Sequence, residues 1–160
     1  MRLLLNIILC ASFFLIFSCK NSSNNSENIW NESQRLYSIK DYNNCIVLLT
    51  SILDNNNEEF KPKALFLISE IYLNEYQEYD ISISFLDLII DKYQDNDLAK
   101  RALFTKAYIQ ANYIESYSDA IDLYNTFIEK YPQDDLVSSV NYELNELNKY
   151  KTKIDQMINR

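Results

Sequence analysis

The sequence predicts an all-α fold, an α-solenoid of about three helix–turn–helix pairs that ends in a long C-terminal capping helix. Three observations support this prediction. The chain matches itself when it is shifted by 37 or by 38. Each copy holds two blocks of apolar residues at the three-to-four-residue spacing of an amphipathic helix. No stretch of useful length alternates as a strand would. Helix pairs repeating at this period stack into solenoids, because each repeat buries its apolar face on its neighbours.

Residues 1–18 are predicted to be a secretion signal. Arg2 supplies a positive charge, and a mostly apolar run from Leu3 to Phe17 follows it. This run is shorter than the roughly 20 apolar residues that a membrane-spanning helix needs. It ends in Ile16-Phe17-Ser18-Cys19, which resembles the lipobox of bacterial lipoproteins. We therefore expect cleavage after Ser18 and acylation, for example with palmitate, at Cys19. The alternative is an ordinary signal or an uncleaved anchor with a chance cysteine.

Residues 19–27 are predicted to be a flexible tether that starts at the lipidated cysteine. The stretch Lys20–Ser26 has no apolar residue and the composition of a solvated linker. Seven residues reach at most roughly 25 Å when fully extended. The folded domain, predicted to span residues 28–158, is therefore expected to work close to a membrane.

The composition excludes several classes of function. The full chain has a formal net charge of −8, and loss of Arg2 with the signal leaves 14 basic against 23 acidic residues. An acidic protein repels phosphate, which makes nucleic acids and anionic lipid headgroups poor partners. The chain contains no glycine and no histidine, so phosphate-binding glycine loops, nucleophile elbows and imidazole bases are excluded. We expect no enzyme activity, no cofactor, no metal site and no small-molecule substrate.

Three copies of one unit become visible when the sequence is aligned with itself. A shift of 38 places Ala64-Leu65-Phe66 on Ala102-Leu103-Phe104, and a shift of 37 places Tyr42 on Tyr79. The second block of the third copy forms one helical stripe, made by Ala120, Ile121, Tyr124, Phe127, Ile128 and Tyr131. The motif Ser116-x-x-Asp119 is expected to cap this helix. Its end is predicted at Pro132.

A longer helix is predicted from Leu136 to about Ile158. Its apolar stripe continues through Val140, Leu144, Leu147, Ile154 and Ile158. The first half is expected to cap the solenoid, as terminal repeats must. The second half is expected to protrude or to pack on a partner, and it carries Lys149, Lys151, Lys153 and Arg160.

These residues resemble the tetratricopeptide repeat, which has an aromatic residue at the start of its second helix and small residues where the two helices cross. The aromatic residues here are Tyr42, Tyr79 and Tyr117. The small residues of the second helices are Cys45, Ser82 and Ala120, and those of the first helices are Ser33, Ser69 and Ala107. Small side chains suit helix axes that approach to about 8–10 Å. Cys45 is therefore expected in the core, and with Cys10 cleaved off and Cys19 lipidated no intramolecular disulfide can form.

The chain resembles one subclass of this family more closely than it resembles the general repeat. The segment Phe127–Leu136 is similar to the signature F-I-x-x-Y-P-x-x-x-x-A of envelope repeat proteins, and Ile89–Ala99 repeats it in part. The subclass includes the BamD-type lipoproteins of outer-membrane β-barrel assembly, which carry more repeats than the three found here. The resemblance implies a scaffold lipid-anchored at the periplasmic face of the outer membrane that binds a barrel-assembly component or client peptides. An envelope scaffold of Tol–Pal or secretion type is the alternative. A solute-binding or hydrolytic lipoprotein is disfavoured, because no α/β pattern, glycine or histidine is present.

The first helices of tetratricopeptide arrays line a concave groove, and the register implies which residues face it here. They are Lys63, Glu70, Asn74, Arg101, Tyr108 and Asn112. This mixture of charge, amide and aromatic ring suits an extended peptide. A merely solvated helix face is the alternative.

The other polar clusters are expected to be structural. Six tyrosines follow the repeat spacing and are assigned to packing, with their hydroxyls near the surface: Tyr42, Tyr79, Tyr93, Tyr117, Tyr124 and Tyr131. The carboxylates at Asp54, at Glu58–Glu59 and at Asp134–Asp135 are placed at helix ends or turns, where they face water or complement helix N-termini. The Asp95–Asp97 and Asp134–Asp135 turns could meet a divalent ion, although neither has the alternating oxygen ligands of a calcium loop.

Overall fold

The computed structural model describes residues 25–158, and this part of the chain is helical with no strand. Seven α-helices follow one another within it. They are α1 (25–38), α2 (Tyr42–Leu53), α3 (Lys61–Ile71), α4 (Tyr79–Lys92), α5 (Asp97–Asn112), α6 (Tyr117–Lys130) and α7 (Val137–Ile158). The prediction of an all-α fold is confirmed. The signal over residues 1–18 and Cys19 lie outside the described residues.

The predicted end of the tether is wrong, because the first helix begins inside it. Residues 25–27 belong to α1, although the sequence places them in the flexible linker. Ser26 is buried, and its hydroxyl accepts a hydrogen bond of 3.0 Å from the side-chain amide of Asn55. A polar composition therefore does not prevent burial of Ser26, because a helix can turn a single serine inward towards a polar partner while Asn25 and Glu27 stay exposed.

The described chain divides into two compact units, with the division between Ala64 and Leu65 inside α3. The first unit holds α1, α2 and the start of α3. Its buried apolar side chains are Leu36, Cys45, Leu49, Ile52, Phe60 and Ala64. Trp30 packs on the ring of Phe60 with the ring centroids 6.4 Å apart.

One hydrophobic cluster in the core of the second unit joins α5, α6 and α7. It is built from Leu103, Ala107, Ala111, Ala120, Tyr124, Phe127, Val140 and Leu147. Phe104 packs from its edge on Tyr124 and Phe127, with ring centroids 5.8 and 6.4 Å apart. Of the six tyrosines assigned to packing, Tyr124 alone is fully buried and the other five are half-buried.

Small residues lie where the helices of each pair meet, as predicted. Within the first unit the thiol of Cys45 donates to the carbonyl of Ser33 over 3.2 Å. Within the second unit the hydroxyl of Ser82 donates to the carbonyl of Ser69 over 2.9 Å. All four residues are buried, and so are Ala107 and Ala120, which occupy the same places in the third pair. Close helix crossings leave no room for larger side chains at these points.

The turn inside each helix pair contains one residue with a left-handed backbone. These residues are Lys40, Gln77 and Glu115, with φ of 63°, 57° and 60°. A shift of 37 carries the first to the second, and a shift of 38 carries the second to the third, as in the sequence repeat. Glycine is the usual residue at such a helix C-terminus, because it has no Cβ to clash in this conformation. The three turns therefore share a left-handed backbone conformation, although none of them has the glycine that favours it.

The end of α3 differs from a regular helix. The chain widens into a π-helical turn over Tyr72–Tyr76 before it reaches Gln77. The corresponding end of α5 shows a related widening, since the amide of Ile114 donates to the carbonyl of Ile109, five positions back. Such widened turns change which side of the helix a residue faces.

The predicted helix ends are close to those observed. Helix α6 ends at Lys130, just before Tyr131 and Pro132, as a proline stop requires. Ser116 is the N-cap residue of α6, but its hydroxyl donates to the carboxylate of Asp119 over 2.7 Å and caps no backbone amide. The expected side-chain cap is therefore absent from this helix start.

Helix α7 closes the core of the second unit. Val140 and Leu147 are buried and Leu144 is half-buried, while the side chains of Ile154 and Ile158 lie outside the described part of the chain. The residues of α7 that correspond to Leu103, Ala107 and Ala111 of α5 are Asn141, Asn145 and Lys149, and all three are exposed. A polar outer face of this kind is what a terminal helix requires. The three lysines of its second half are exposed as well.

Candidate functional site

The six residues predicted to face a groove fall into both units. Lys63 belongs to the first unit, where it is exposed and its ammonium lies 4.6 Å from the centroid of the Phe60 ring. The other five lie in the second unit. Glu70 and Tyr108 are half-buried there, whereas Asn74, Arg101 and Asn112 are exposed.

Two of these five residues are displaced from the regular helix face that the repeat predicts. Asn74 lies in the π-helical turn after α3. Asn112 is the last residue of α5, and its side-chain amide donates to the carbonyl of Tyr108 over 3.0 Å. Their positions follow from the widened helix ends, which the sequence spacing does not reveal.

Glu70 of α3 and Arg101 of α5 form one electrostatic group together with Phe66. The guanidinium carbon of Arg101 lies 4.8 Å from the centroid of the Phe66 ring, which is the geometry of a cation–π contact. Burial raises the pKa of the Glu70 carboxyl, and the positive charge of Arg101 opposes this rise. Arg101 therefore lies close to both Phe66 and Glu70, whereas a groove lined by these residues and their contact with a ligand stay predictions.

Tyr108 belongs to a cluster of rings near the end of α5. Its ring meets that of Tyr113 at right-angled geometry with centroids 6.0 Å apart, and Tyr113 stacks on Tyr79 at 4.7 Å. Burial is the main cause that raises the pKa of the Tyr108 hydroxyl, with Tyr113 and the negative charge of Glu143 adding to it. A hydrogen bond with the Tyr113 side chain also raises this pKa, so the Tyr108 hydroxyl is neutral at physiological pH.

A cleft of about 390 Å³ lies between α5 and α7, and the sequence analysis did not identify it. Its walls are formed by Phe104, Tyr108, Ser138, Ser139, Tyr142 and Glu143. Tyr142 is 64% exposed, the largest exposed area fraction of any ring at the cleft. The sequence did hold a signal for this cleft, because a shift of 38 carries Phe66 to Phe104 and Phe104 to Tyr142.

Next to this cleft lies a buried hydroxyl with no hydrogen-bond partner among residues 25–158, that of Tyr124. Burial raises the pKa of Tyr124 strongly, and the negative charge of Glu143 raises it further. The expectation that the packing tyrosines keep their hydroxyls near solvent is thus wrong for this residue. A neutral, unpaired hydroxyl in a core lowers the stability of the fold rather than adding to it.

Cys45 has no features of a reactive thiol. It is free and has no exposed surface, and burial raises its pKa to about 11. A nucleophilic cysteine needs a lowered pKa and access to solvent. Its role is that of a small core residue, as the sequence predicts.

The acidic turns before α5 and α7 come together in the second unit around Lys100. The ammonium of Lys100 lies 2.8 Å from a carboxylate oxygen of Asp134 and 3.2 Å from one of Asp97. Hydrogen bonds from Lys100 and from the backbone amide of Leu136 lower the pKa of Asp134. No group of three or more potential metal ligands occurs within the described residues. The ammonium of Lys100 thus supplies a positive charge between Asp97 and Asp134.

Two further observations bear on the class of protein. Among the helices of residues 25–158, none is both long enough and apolar enough to span a membrane. Comparison with protein-family models and with curated proteins found no match for the chain.

Proposed function

We propose that the chain is a membrane-anchored scaffold for protein–protein interaction that serves in outer-membrane β-barrel assembly. The observation that carries this proposal is the surface of the second unit formed by α3, α5 and α7. We call this surface the first-helix face. It presents Glu70, Arg101, Phe104, Tyr108, Tyr142 and Glu143. Rings beside separate charges and hydroxyls are the surface chemistry that binds polypeptide.

We further propose that the helix pairs form a tetratricopeptide-like array. Three features in the register of the repeat support it. Small buried residues pair across α1 and α2, and again across α3 and α4, through the hydrogen bonds of Cys45 and Ser82. Left-handed residues stand at the same place in all three intra-pair turns. The polar outer face of α7 then ends the array.

Assignment to the envelope and to barrel assembly rests on sequence resemblance. The lipobox-like segment before Cys19 supports a lipid anchor, and the segment Phe127–Leu136 supports the BamD-type subclass. A scaffold of Tol–Pal or secretion type would have the same fold but different partners. The identity of the bound partner separates the two functions.

Site-specific photo-crosslinking in the native cell tests the function. A photoreactive amino acid is placed at Tyr142, which is exposed on the first-helix face, and a matched one at Asn125, which is exposed on α6. We expect a barrel-assembly protein or an unfolded barrel client to be captured from position 142 and not from position 125. Capture of Tol–Pal or secretion components would replace the leading proposal by its alternative. Equal capture from both positions would refute a role for this face.

Membrane fractionation tests the anchor independently of the partner. Cys19→Ala is expected to release the chain from the membrane fraction or to leave its signal uncleaved, while Cys10→Ala, the matched control, is expected to behave as the unaltered chain. A Cys19→Ala chain that is cleaved and yet fully membrane-bound would rule out the lipid anchor.

A further inference from the structure

The cleft between α5 and α7 is the repeat equivalent of the contact between α3 and α5. In that contact Arg101 of α5 lies over the ring of Phe66 of α3, near the carboxylate of Glu70. A shift of 38 carries Phe66 to Phe104 and Arg101 to Ser139. The sequence repeat therefore pairs a ring that is covered by a cation, Phe66 under Arg101, with a second ring, Phe104, that has a serine at the corresponding place.

Replacement of an arginine by a serine explains why a cleft exists here. A serine side chain is several atoms shorter than an arginine side chain and cannot cover the Phe104 ring as Arg101 covers Phe66. The resulting space of about 390 Å³ is large enough for the end of one long side chain. Three rings line it, those of Phe104, Tyr108 and Tyr142.

The only charge on the walls of this cleft is negative. It belongs to Glu143, which is half-buried and forms no ion pair with any residue between 25 and 158. Its charge reaches the cleft, because it contributes to the raised pKa of both Tyr108 and Tyr124. A carboxylate beside aromatic rings attracts cations and repels carboxylate or phosphate groups.

We infer that this cleft, here named the α5–α7 cleft, binds the guanidinium or ammonium group of an arginine or lysine side chain in an extended peptide. The bound cation lies over Phe104, as Arg101 lies over Phe66, and pairs with Glu143. The inference rests on the proposed peptide-binding function and names the residue type that the first-helix face selects. The net charge of −8 favours the approach of basic segments.

The test uses fluorine NMR of the full-length chain labelled with 3-fluorotyrosine in uncharged detergent micelles. Resonances of Tyr108 and Tyr142 are assigned from the Tyr108→Phe and Tyr142→Phe variants. The probes are N-acetyl-arginine amide and N-acetyl-citrulline amide, which have nearly the same shape but differ in charge. We expect the arginine probe to shift both resonances in a saturable way, with at least tenfold higher affinity than the citrulline probe. Equal affinities for the two probes would overturn the inference.

Two pairs of variants confine the effect to this cleft. Ser139→Arg supplies a cation from the chain itself and is expected to abolish probe binding, whereas Asn141→Arg adds the same charge on the polar outer face of α7 and should leave it intact. Glu143→Gln should weaken the arginine probe at least fivefold, and Glu146→Gln, which removes a carboxylate paired with Lys149, should not. Unchanged binding by Ser139→Arg would refute the site even if the probe binds elsewhere.

A third probe distinguishes failure of this inference from failure of the proposed function. A nonapeptide of serine and alanine with one central arginine is expected to bind at least tenfold more tightly than the single amino acid. If the peptide binds no more tightly than the single amino acid, the cation site would be supported and the peptide-binding function would be refuted. If the peptides with arginine and with citrulline bind equally well, the peptide-binding function would be supported and the cation site would be refuted.

Discussion

The three left-handed turn residues offer a quantitative test of how the helix pairs are built. Lys40, Gln77 and Glu115 each have φ near 60°, a conformation that costs a residue with a Cβ about 1–2 kcal/mol. Replacing Gln77 by glycine removes this cost from the folded state. The greater freedom of glycine in the unfolded chain offsets about 0.5–1 kcal/mol of the gain. The net expectation for Gln77→Gly is an increase in the free energy of unfolding of roughly 0.5–1 kcal/mol.

The matched control is Gln77→Ala, which removes the same side chain but keeps the Cβ and therefore the strain. The glycine variant should exceed it by about 1 kcal/mol. Urea unfolding followed by far-ultraviolet circular dichroism measures both variants. The triple variant, with glycine also at positions 40 and 115, should gain roughly 1.5–3 kcal/mol if the turns act independently. A glycine variant no more stable than the alanine variant would refute the argument, because it would mean that the left-handed backbone costs no more than the added freedom of glycine in the unfolded chain.

Three further predictions concern the core. Tyr124→Phe removes a buried hydroxyl that has no hydrogen-bond partner among the described residues. The variant should leave the free energy of unfolding unchanged or raise it by about 1 kcal/mol. A loss above about 1 kcal/mol in urea unfolding would show that the hydroxyl does form a hydrogen bond. Ala107→Leu places a large side chain at the crossing of α5 and α6, where Ala107 has no exposed surface. This variant should lower the free energy of unfolding by about 2–3 kcal/mol. The control, Asn125→Leu on the exposed side of α6, should lower it far less. The folded state holds the pKa of Cys45 at about 11, above its ordinary value of 9.0. The unfolded thiol therefore ionises first. The contribution of Cys45 to stability should be constant below about pH 9 and should fall by roughly 2 kcal/mol as the pH rises to about 11. Cys45→Ser should flatten this part of the pH profile, and an equally steep decline in the variant would assign the effect to other groups.

The sequence determined the secondary structure of this chain, because helical periodicity is a local property of the apolar pattern. The stripe from Ala120 to Tyr131 and the stop at Pro132 were sufficient to define α6 almost to the residue. The repeat register also identified which small residues meet inside each pair, since Ser33 and Cys45 recur as Ser69 and Ser82. Both results depend on spacing alone, and spacing is visible in a sequence.

The features that the sequence missed depend on space between elements. The π-helical turn at Tyr72–Tyr76 moved Asn74 off the regular helix face, and no residue type announces such a turn. The sequence places Ser26 in a linker, whereas in the structure its hydroxyl accepts a hydrogen bond from the side chain of Asn55. The repeat spacing shows that Arg101 and Ser139 occupy equivalent positions. Only the tertiary structure shows that Arg101 covers the ring of Phe66, whereas Ser139 borders an open cleft. Local sequence determines where helices begin and end, whereas the volume left between packed helices depends on the side chains of both, and that volume is what distinguishes a binding site from a solvated face.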